Sequence, residues 1–288
     1  LALNMSCEEL AKNILKKAPK YLGISSVTIS IYDAGLLARL IKENDKNITI
    51  IVGGAHITAV PQETMDRFPE FDIGVLGEGE VTVVELLETL GKGKALDNVA
   101  GIIFRTNGKI KVTQKRDFIK DLDLLPMPAW DLLPDMAHYS PPAWSLNESN
   151  AGMLITSRGC AGRCTFCDRS GFGHIYRAHS TDYVMRMIRQ LYATYNIRHF
   201  RINDDNFILF RKRLYEICDR LINEGPKITW SCLARVDSVN PDILKLMKKA
   251  GCWQISYGVE TASQEIHNIE KKNISIEQIE QAIEWANK

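Results

Sequence analysis

Apolar residues along the chain switch between two spacings, and the switches mark out its elements. Cys7–Lys17 carries Leu10, Ile14 and Leu15 at helical spacing. Tyr21–Ile31 is rich in β-branched residues and predicts a strand, and Ala34–Glu43 predicts a helix. Ile48–Val52 is an unbroken apolar run, as in a parallel strand covered on both faces, and Gly53-Gly54 ends it. Gln62–Arg67 predicts a short helix, Asp72–Leu76 a strand and Val81–Leu90 a helix. This is β/α alternation around a parallel sheet. Val99–Thr113 departs from it: two apolar runs flank Asn107-Gly108, which predicts a hairpin.

Five prolines, Pro126, Pro128, Pro134, Pro141 and Pro142, punctuate Asp121–Asn150, which reads as a linker crossing between domains. Alternation then resumes. Strands are expected at Met153–Thr156, His199–Ile202, Ile228–Ser231 and Trp253–Tyr257. Helices are expected at Thr181–Tyr195, Phe210–Glu224, Pro241–Ala250 and Ile276–Ala286. The chain thus divides into an α/β domain (1–120), the linker (121–150) and part of a β/α barrel (151–288).

Composition narrows the class. Among 288 residues, 36 are basic and 35 acidic, so charge balance gives no reason to expect a nucleic acid or an anionic membrane as partner. No apolar run approaches the roughly 18 residues of a membrane span, and the first residues lack the pattern of a signal peptide. A cytoplasmic location is the expectation.

Seven cysteines in a chain of this length do not suggest a disulfide framework. Three of them need an explanation of their own. Ser157-Arg-Gly-Cys160-Ala-Gly-Arg-Cys164-Thr-Phe-Cys167 is a C-x3-C-x2-C cluster in a loop after a predicted strand. Thiolates ligate iron–sulfur clusters, and one short loop can hold three corners of a cubane. With no fourth cysteine at matching spacing, one iron is left for a non-protein ligand. Structural zinc, with His174 or His179 as fourth ligand, is the competing reading.

C-x3-C-x-aromatic-C, with Phe166 as the aromatic, resembles the radical S-adenosylmethionine (SAM) superfamily signature, and it lies on the loop after the first barrel strand, where that family carries it. The resemblance implies a [4Fe–4S] cluster on Cys160, Cys164 and Cys167. The open iron would chelate SAM, and reductive cleavage of SAM would yield a 5′-deoxyadenosyl radical. The remaining strand ends supply candidates for holding SAM, because barrel sites form at the carboxyl ends of strands. Asn203-Asp204-Asp205-Asn206 stands where the family has a Gly-Gly-Glu-like motif, so Asp204 or Asp205 would substitute for it. Arg235 in Ser231-Cys-Leu-Ala-Arg could pair with the SAM carboxylate. Gly258-Val-Glu260-Thr resembles the G-x-E-[ST] strand end of the cobalamin-dependent branch, where the acid contacts SAM. The plain alternatives are helix caps for the acids and a surface Arg–Asp pair for Arg235.

In the first domain, Gly53-Gly-Ala-His56 and Gly77-Glu-Gly79-Glu each follow a predicted strand. Together they resemble the cobalamin-binding domain of radical SAM proteins related to the anaerobic Mg-protoporphyrin ester cyclases. The resemblance implies a partial Rossmann or flavodoxin-like domain that uses Ser26, Thr28, Gly53, Gly54, His56, Gly77 and Gly79 toward cobalamin, ahead of a partial (β/α)6 barrel. No Asp-x-His-x-x-Gly cobalt-ligating motif is present, and His56 is assigned to packing rather than to ligation. Three of about five parallel strands are visible, so the segment reads as an internal piece of a longer protein.

The expected activity is methylation, or an oxidative or cyclising modification, of a lipid, tetrapyrrole or other small molecule, with flavodoxin or ferredoxin as reductant. Two alternatives stand beside it. One is a radical SAM enzyme without cobalamin, whose first domain only recognises substrate; cobalt content separates it. The other is a non-enzymatic zinc module, separated by visible absorbance against zinc content.

Overall fold

The computed structural model describes residues 5–139 and 150–288. Pro141 and Pro142 of the expected linker lie outside the described residues. The chain forms two compact units. One comprises residues 1–119 with 168–173, the other residues 120–167 with 174–288.

The first unit begins with helix α1 (Cys7–Lys16), capped by Ser6, whose hydroxyl accepts from Glu9 N while the Glu9 carboxylate accepts from Ser6 N. Then come β1 (Tyr21–Ser25), α2 (Ile31–Asn44), β2 (Thr49–Gly53), α3 (Ala55–Ala59), α4 (Pro61–Arg67), β3 (Ile73–Val75) and α5 (Gly79–Gly91). A hairpin follows, β4 (Ile102–Thr106) and β5 (Lys109–Val112). The sheet order is β1-β2-β3-β4-β5, parallel through β3 and antiparallel beyond it. Apolar side chains fill both faces: Ile50, Val52, Leu37, Ile41 and Phe71 on one, Ile51, Ile73, Val75 and Leu86 on the other. That two-sided cover is why β2 reads as a continuous apolar run.

In this unit two elements differ from the sequence reading. The first strand stops at Ser25 instead of running to Ile31, and Thr28–Ser30 forms a 3-10 turn. The reason is local. Ser26 Oγ donates to Val27 O, and Ser30 Oγ accepts from Val27 N, so side chains take over the backbone groups a strand would need. Helix α3, which periodicity does not predict, begins directly after Gly54, whose φ of 100° turns the chain sharply out of the sheet.

The second unit contains β6 (Ala151–Leu154), β7 (Ser157–Arg158), β8 (Arg177–Ala178), α6 (Thr181–Tyr195), β9 (His199–Ile202), α7 (Arg211–Asn223), β10 (Thr229–Ala234), α8 (Pro241–Lys249), β11 (Cys252–Tyr257), α9 (Gln264–Ile269) and α10 (Ile276–Asn287). Its main sheet has the order β11-β10-β9-β6, all parallel. Helix starts follow their capping chemistry: Ser180, Asn240 and Ser275 accept from the third residue of α6, α8 and α10, and Pro241 opens α8. The core gathers Phe200, Ile202, Phe207, Trp230, Val184 and Ile188 between sheet and helices.

The described part of the proline-rich segment is firmly held by the second unit. Trp130 is buried in its core. Tyr183 Oη donates to the Leu125 and Pro126 carbonyls at 3.2 and 2.8 Å, and Asp123 accepts from Ser180 N at 3.0 Å. No described helix is long and apolar enough to cross a membrane.

Candidate functional site

The cysteine loop is fixed at its base before any cysteine is reached. Strands β7 and β8 pair antiparallel, Ser157 with Ala178 and Arg158 with Arg177, and close the loop between them. Beneath the pair, Thr156 is fully buried. Its N–H and hydroxyl donate to the two oxygens of Asp204 at 2.5 and 2.6 Å, and Ser157 N donates to Asp204 at 3.0 Å. The Arg213 guanidinium donates to the Thr156 hydroxyl at 2.6 Å and to its carbonyl at 3.0 Å. Guanidinium, hydroxyl and carboxylate thus form a polarised chain in a low-dielectric interior, where each bond strengthens the next. Burial pulls the Arg213 pKa down, and the Asp204 charge is among the groups opposing that pull.

Above this base lies a cleft of about 550 Å³. Its walls include Cys160 and Gly162 from the loop, Asn206 after β9, Arg235 and Asp237 after β10, and Lys272 after α9. Gly162 N donates to Cys160 Sγ at 3.3 Å. Arg235 is gripped by Asp237 at 3.0 and 2.8 Å and donates to the Lys272 carbonyl at 2.8 Å. Its remaining amino group stands 4.0 Å from Cys164 Sγ. The Asp237 hydrogen bonds push the Arg235 pKa up. A backbone N–H and a fixed cation thus stand beside two of the three cysteine sulfurs. The loop suits a cluster held by thiolates, although among the described residues no three Cys, His, Asp or Glu side chains already converge on one point. Cys160 and Cys164 are partly covered, and Cys167 is exposed.

The other expected residues separate. Asp204 is 1% exposed and committed to the loop base, while Asp205 is exposed. From that segment Asn206 lines the cleft, donating to Ser238 Oγ at 3.2 Å. Glu260 has a φ of 66°, a conformation that costs a residue with a side chain on the order of 1–3 kcal/mol. Its carboxylate pairs at 2.7 Å with Lys272, which is 5% exposed. Sequence reasoning missed Thr156, Arg213 and Asn206 and gave Lys272 no role. One signal was available for Arg213: α7 opens Arg211-Lys212-Arg213 with no acid in its first turn, against the helix dipole.

In the first unit, the expected residues gather at the carboxyl ends of β1, β2 and β3. Ser26 N donates to Gly53 O at 2.9 Å, and His56 N donates to Ser26 O at 3.3 Å. The His56 ring lies 3.1 Å from the Thr28 hydroxyl. Thr58 donates to Gly54 O at 2.8 Å and accepts from Gly77 N at 3.0 Å, which joins the two glycine motifs. The glycines have different reasons to be glycine. A Cβ on Gly54 would lie 2.5 Å from Ser26 O, so there the protein's own backbone makes the close approach. A Cβ on Gly53 or Gly77 would meet nothing within 4 Å, and the space beside them is open. Gly79 starts α5 with ordinary contacts.

Residues 154–288 match the Radical SAM superfamily and residues 1–87 match the B12 binding domain. The chain is a radical SAM protein with a B12 binding domain. The Radical SAM domain implies a [4Fe–4S] cluster and SAM, and the B12 binding domain implies cobalamin. An uncharacterized methyltransferase of Pyrococcus horikoshii is 35% identical to this radical SAM protein over 289 residues, which is 100% of this chain and 62% of the relative. The anaerobic magnesium-protoporphyrin IX monomethyl ester cyclase of Rubrivivax gelatinosus is 27% identical, over 98% of this chain and 51% of its own length. Among solved structures, the cobalamin-dependent SAM radical enzyme OxsB with aqua-cobalamin and SAM bound superposes with a TM-score of 0.80 at 25% identity, over 98% of this chain and 41% of that one. The chain therefore spans roughly half to three-fifths of the length of these two curated relatives.

Proposed function

We propose that the protein is a cobalamin-dependent radical SAM enzyme that modifies a small molecule, most readily by methylation. Cys160, Cys164 and Cys167 are the ligands of the [4Fe–4S] cluster, and Arg235 and Glu260 face SAM. Ser26, Thr28, Gly53, Gly54, His56, Gly77 and Gly79 form the cobalamin edge, with His56 packing and not ligating. When bound, the cluster supplies the electron, drawn from a flavodoxin or ferredoxin, that cleaves SAM to a 5′-deoxyadenosyl radical, and cobalamin supplies a methyl carrier.

The chain's own residues perform the rest. Asp204 and Arg213 hold the loop base, so that the thiol positions depend little on the exposed loop tip. Arg235 offsets thiolate charge, and the Glu260–Lys272 pair gives SAM an acceptor without adding net charge. The observation that carries the reading is the meeting of Cys160, Arg235 and Lys272 on one cleft. Methylation is supported by the methyltransferase relative, and an oxidative or cyclising reaction on a tetrapyrrole by the cyclase relatives. The test is anaerobic reconstitution of the full-length protein, which should hold about four irons per chain together with cobalamin. Replacing Cys7, Cys218, Cys232 or Cys252 should leave the iron in place. A full iron complement with no cobalamin uptake would install the cobalamin-free reading; zinc in place of iron would end both.

A further inference from the structure

Lys272 stands at the junction of three motifs that the sequence treats as separate. Its ammonium is 2.7 Å from Glu260 Oε1 and 5.4 Å from the ring centroid of Phe166, the aromatic of the cysteine signature. Its carbonyl accepts from Arg235 at 2.8 Å. Thr165 N, next to Phe166, donates to Glu270 O at 2.9 Å, so the turn that carries Lys272 is also bonded to the cysteine loop. The backbone on either side of Lys272 is left-handed, with φ of 52° at Lys271 and 54° at Asn273. Asparagine tolerates that region; Lys271, like Glu260, does not do so readily. Strain concentrated around one side chain marks a conformation fixed by its surroundings.

Gly258 completes the arrangement. A Cβ there would lie 2.9 Å from Glu260 Oε1 and 3.2 Å from Lys272 Nζ. The glycine of the G-x-E strand end is thus the floor on which the ion pair rests. Burying an ammonium is unfavourable without a partner. Lys272 meets that requirement by fixing one carboxylate oxygen of a side chain that is itself 41% exposed. The second oxygen forms no hydrogen bond among the described residues and can accept from a ligand.

We propose that Lys272 is a positioning residue. It holds the Glu260 carboxylate in one orientation against the cysteine loop, so that the free oxygen meets a hydrogen-bond donor of SAM. The proposal rests on the reading of this cleft as the SAM site. Losing the lysine leaves Glu260 hydrated instead of stranded in the interior, so the fold should survive the change.

The test uses full-length reconstituted protein carrying Lys272→Met, Lys272→Arg, Gly258→Ala or Lys272→Met with Gly258→Ala. Iron content and thermal unfolding report on structure. The electron paramagnetic resonance spectrum of the reduced cluster, titrated with SAM, reports on binding. Lys272→Met is expected to keep its iron and melting temperature and to need about tenfold more SAM for the spectral change, the loss of roughly one charge-assisted hydrogen bond. Lys272→Arg should recover most of that loss. Gly258→Ala should resemble Lys272→Met, and the double variant should be no worse than either. A SAM titration unchanged in Lys272→Met overturns the proposal, and so does loss of iron, which would make Lys272 a structural staple. A wild-type spectrum that ignores SAM would instead remove the reading of the cleft itself, and this proposal with it.

Discussion

The two units build their strand-end sites from opposite materials. In the first unit the edge of β1, β2 and β3 is made of glycines, short hydroxyls and backbone groups, and open space lies beside Gly53 and Gly77. In the second unit the corresponding edge is crowded with charge, from Arg213 and Asp204 beneath to Arg235, Asp237 and Lys272 around the cleft, with Glu260 paired to Lys272. A broad, rigid ligand such as a corrin is accommodated by leaving side chains out. A polar cofactor at the second edge would be held by charges whose positions are over-determined. Substitutions in the first edge should therefore act mainly through shape, and those in the second through electrostatics.

The largest expected effect is in the second unit. Cys164→Ala should abolish the cluster, with iron falling to background and SAM cleavage to 5′-deoxyadenosine lost in the reconstituted full-length protein. Asp204→Ala should come next. It strands buried donors on Thr156 and Ser157 and removes a negative charge that offsets the buried Arg213 guanidinium, which predicts about 3–5 kcal/mol of destabilisation in denaturant unfolding. If Asp204→Ala unfolds like wild type, charge is not what fixes this edge.

Gly54→Val should destabilise the first unit by about 2–4 kcal/mol, because it meets both a left-handed backbone and the Ser26 carbonyl. Gly53→Leu sharpens the contrast. It should leave the melting temperature unchanged and weaken cobalamin uptake about tenfold or more, equivalent to about 1.4 kcal/mol. Equal loss of stability in the two variants would mean that the space beside Gly53 serves the fold and not a ligand.

The smallest effect is a pH dependence in the second unit. Burial holds His179 below its ordinary pKa of 6.5, against the pull of the Asp123 carboxylate. The unfolded chain therefore binds more protons than the folded one between the lowered value and 6.5. The His179 contribution is complete above that window and lost as the pH falls through it. Unfolding free energy measured from pH 7.5 to pH 5.5 should decline, and His179→Gln should flatten the decline.

Much of this was legible beforehand, for physical reasons that differ by element. Thr181–Tyr195 and His199–Ile202 begin and end as periodicity predicts, because capping residues and burial set those boundaries locally. The Asn107-Gly108 hairpin was readable because two residues with positive φ select that turn. The end of the first strand was not, since Ser26 and Ser30 stop it through side-chain bonds that compete with the ladder. Asp204 illustrates the limit for the site. Its residue type and its place after a strand suggested a ligand contact, but its partners, Thr156 and Ser157, lie 48 and 47 residues away.

What the sequence determined alone is the local chemistry: three cysteines within eight residues, paired glycines after apolar runs, and the β/α alternation that brings strand ends to one edge. Each of these depends on neighbours in the chain. What only the tertiary structure decided is which polar side chains serve the cleft and which serve the scaffold. Asp204 turned down to the loop base, Asn206 turned to the cleft, and Lys272, from a turn more than a hundred residues beyond Phe166, came to lie against its ring. Those outcomes depend on strand register and on the packing of turns distant in sequence, and no short-range pattern encodes either.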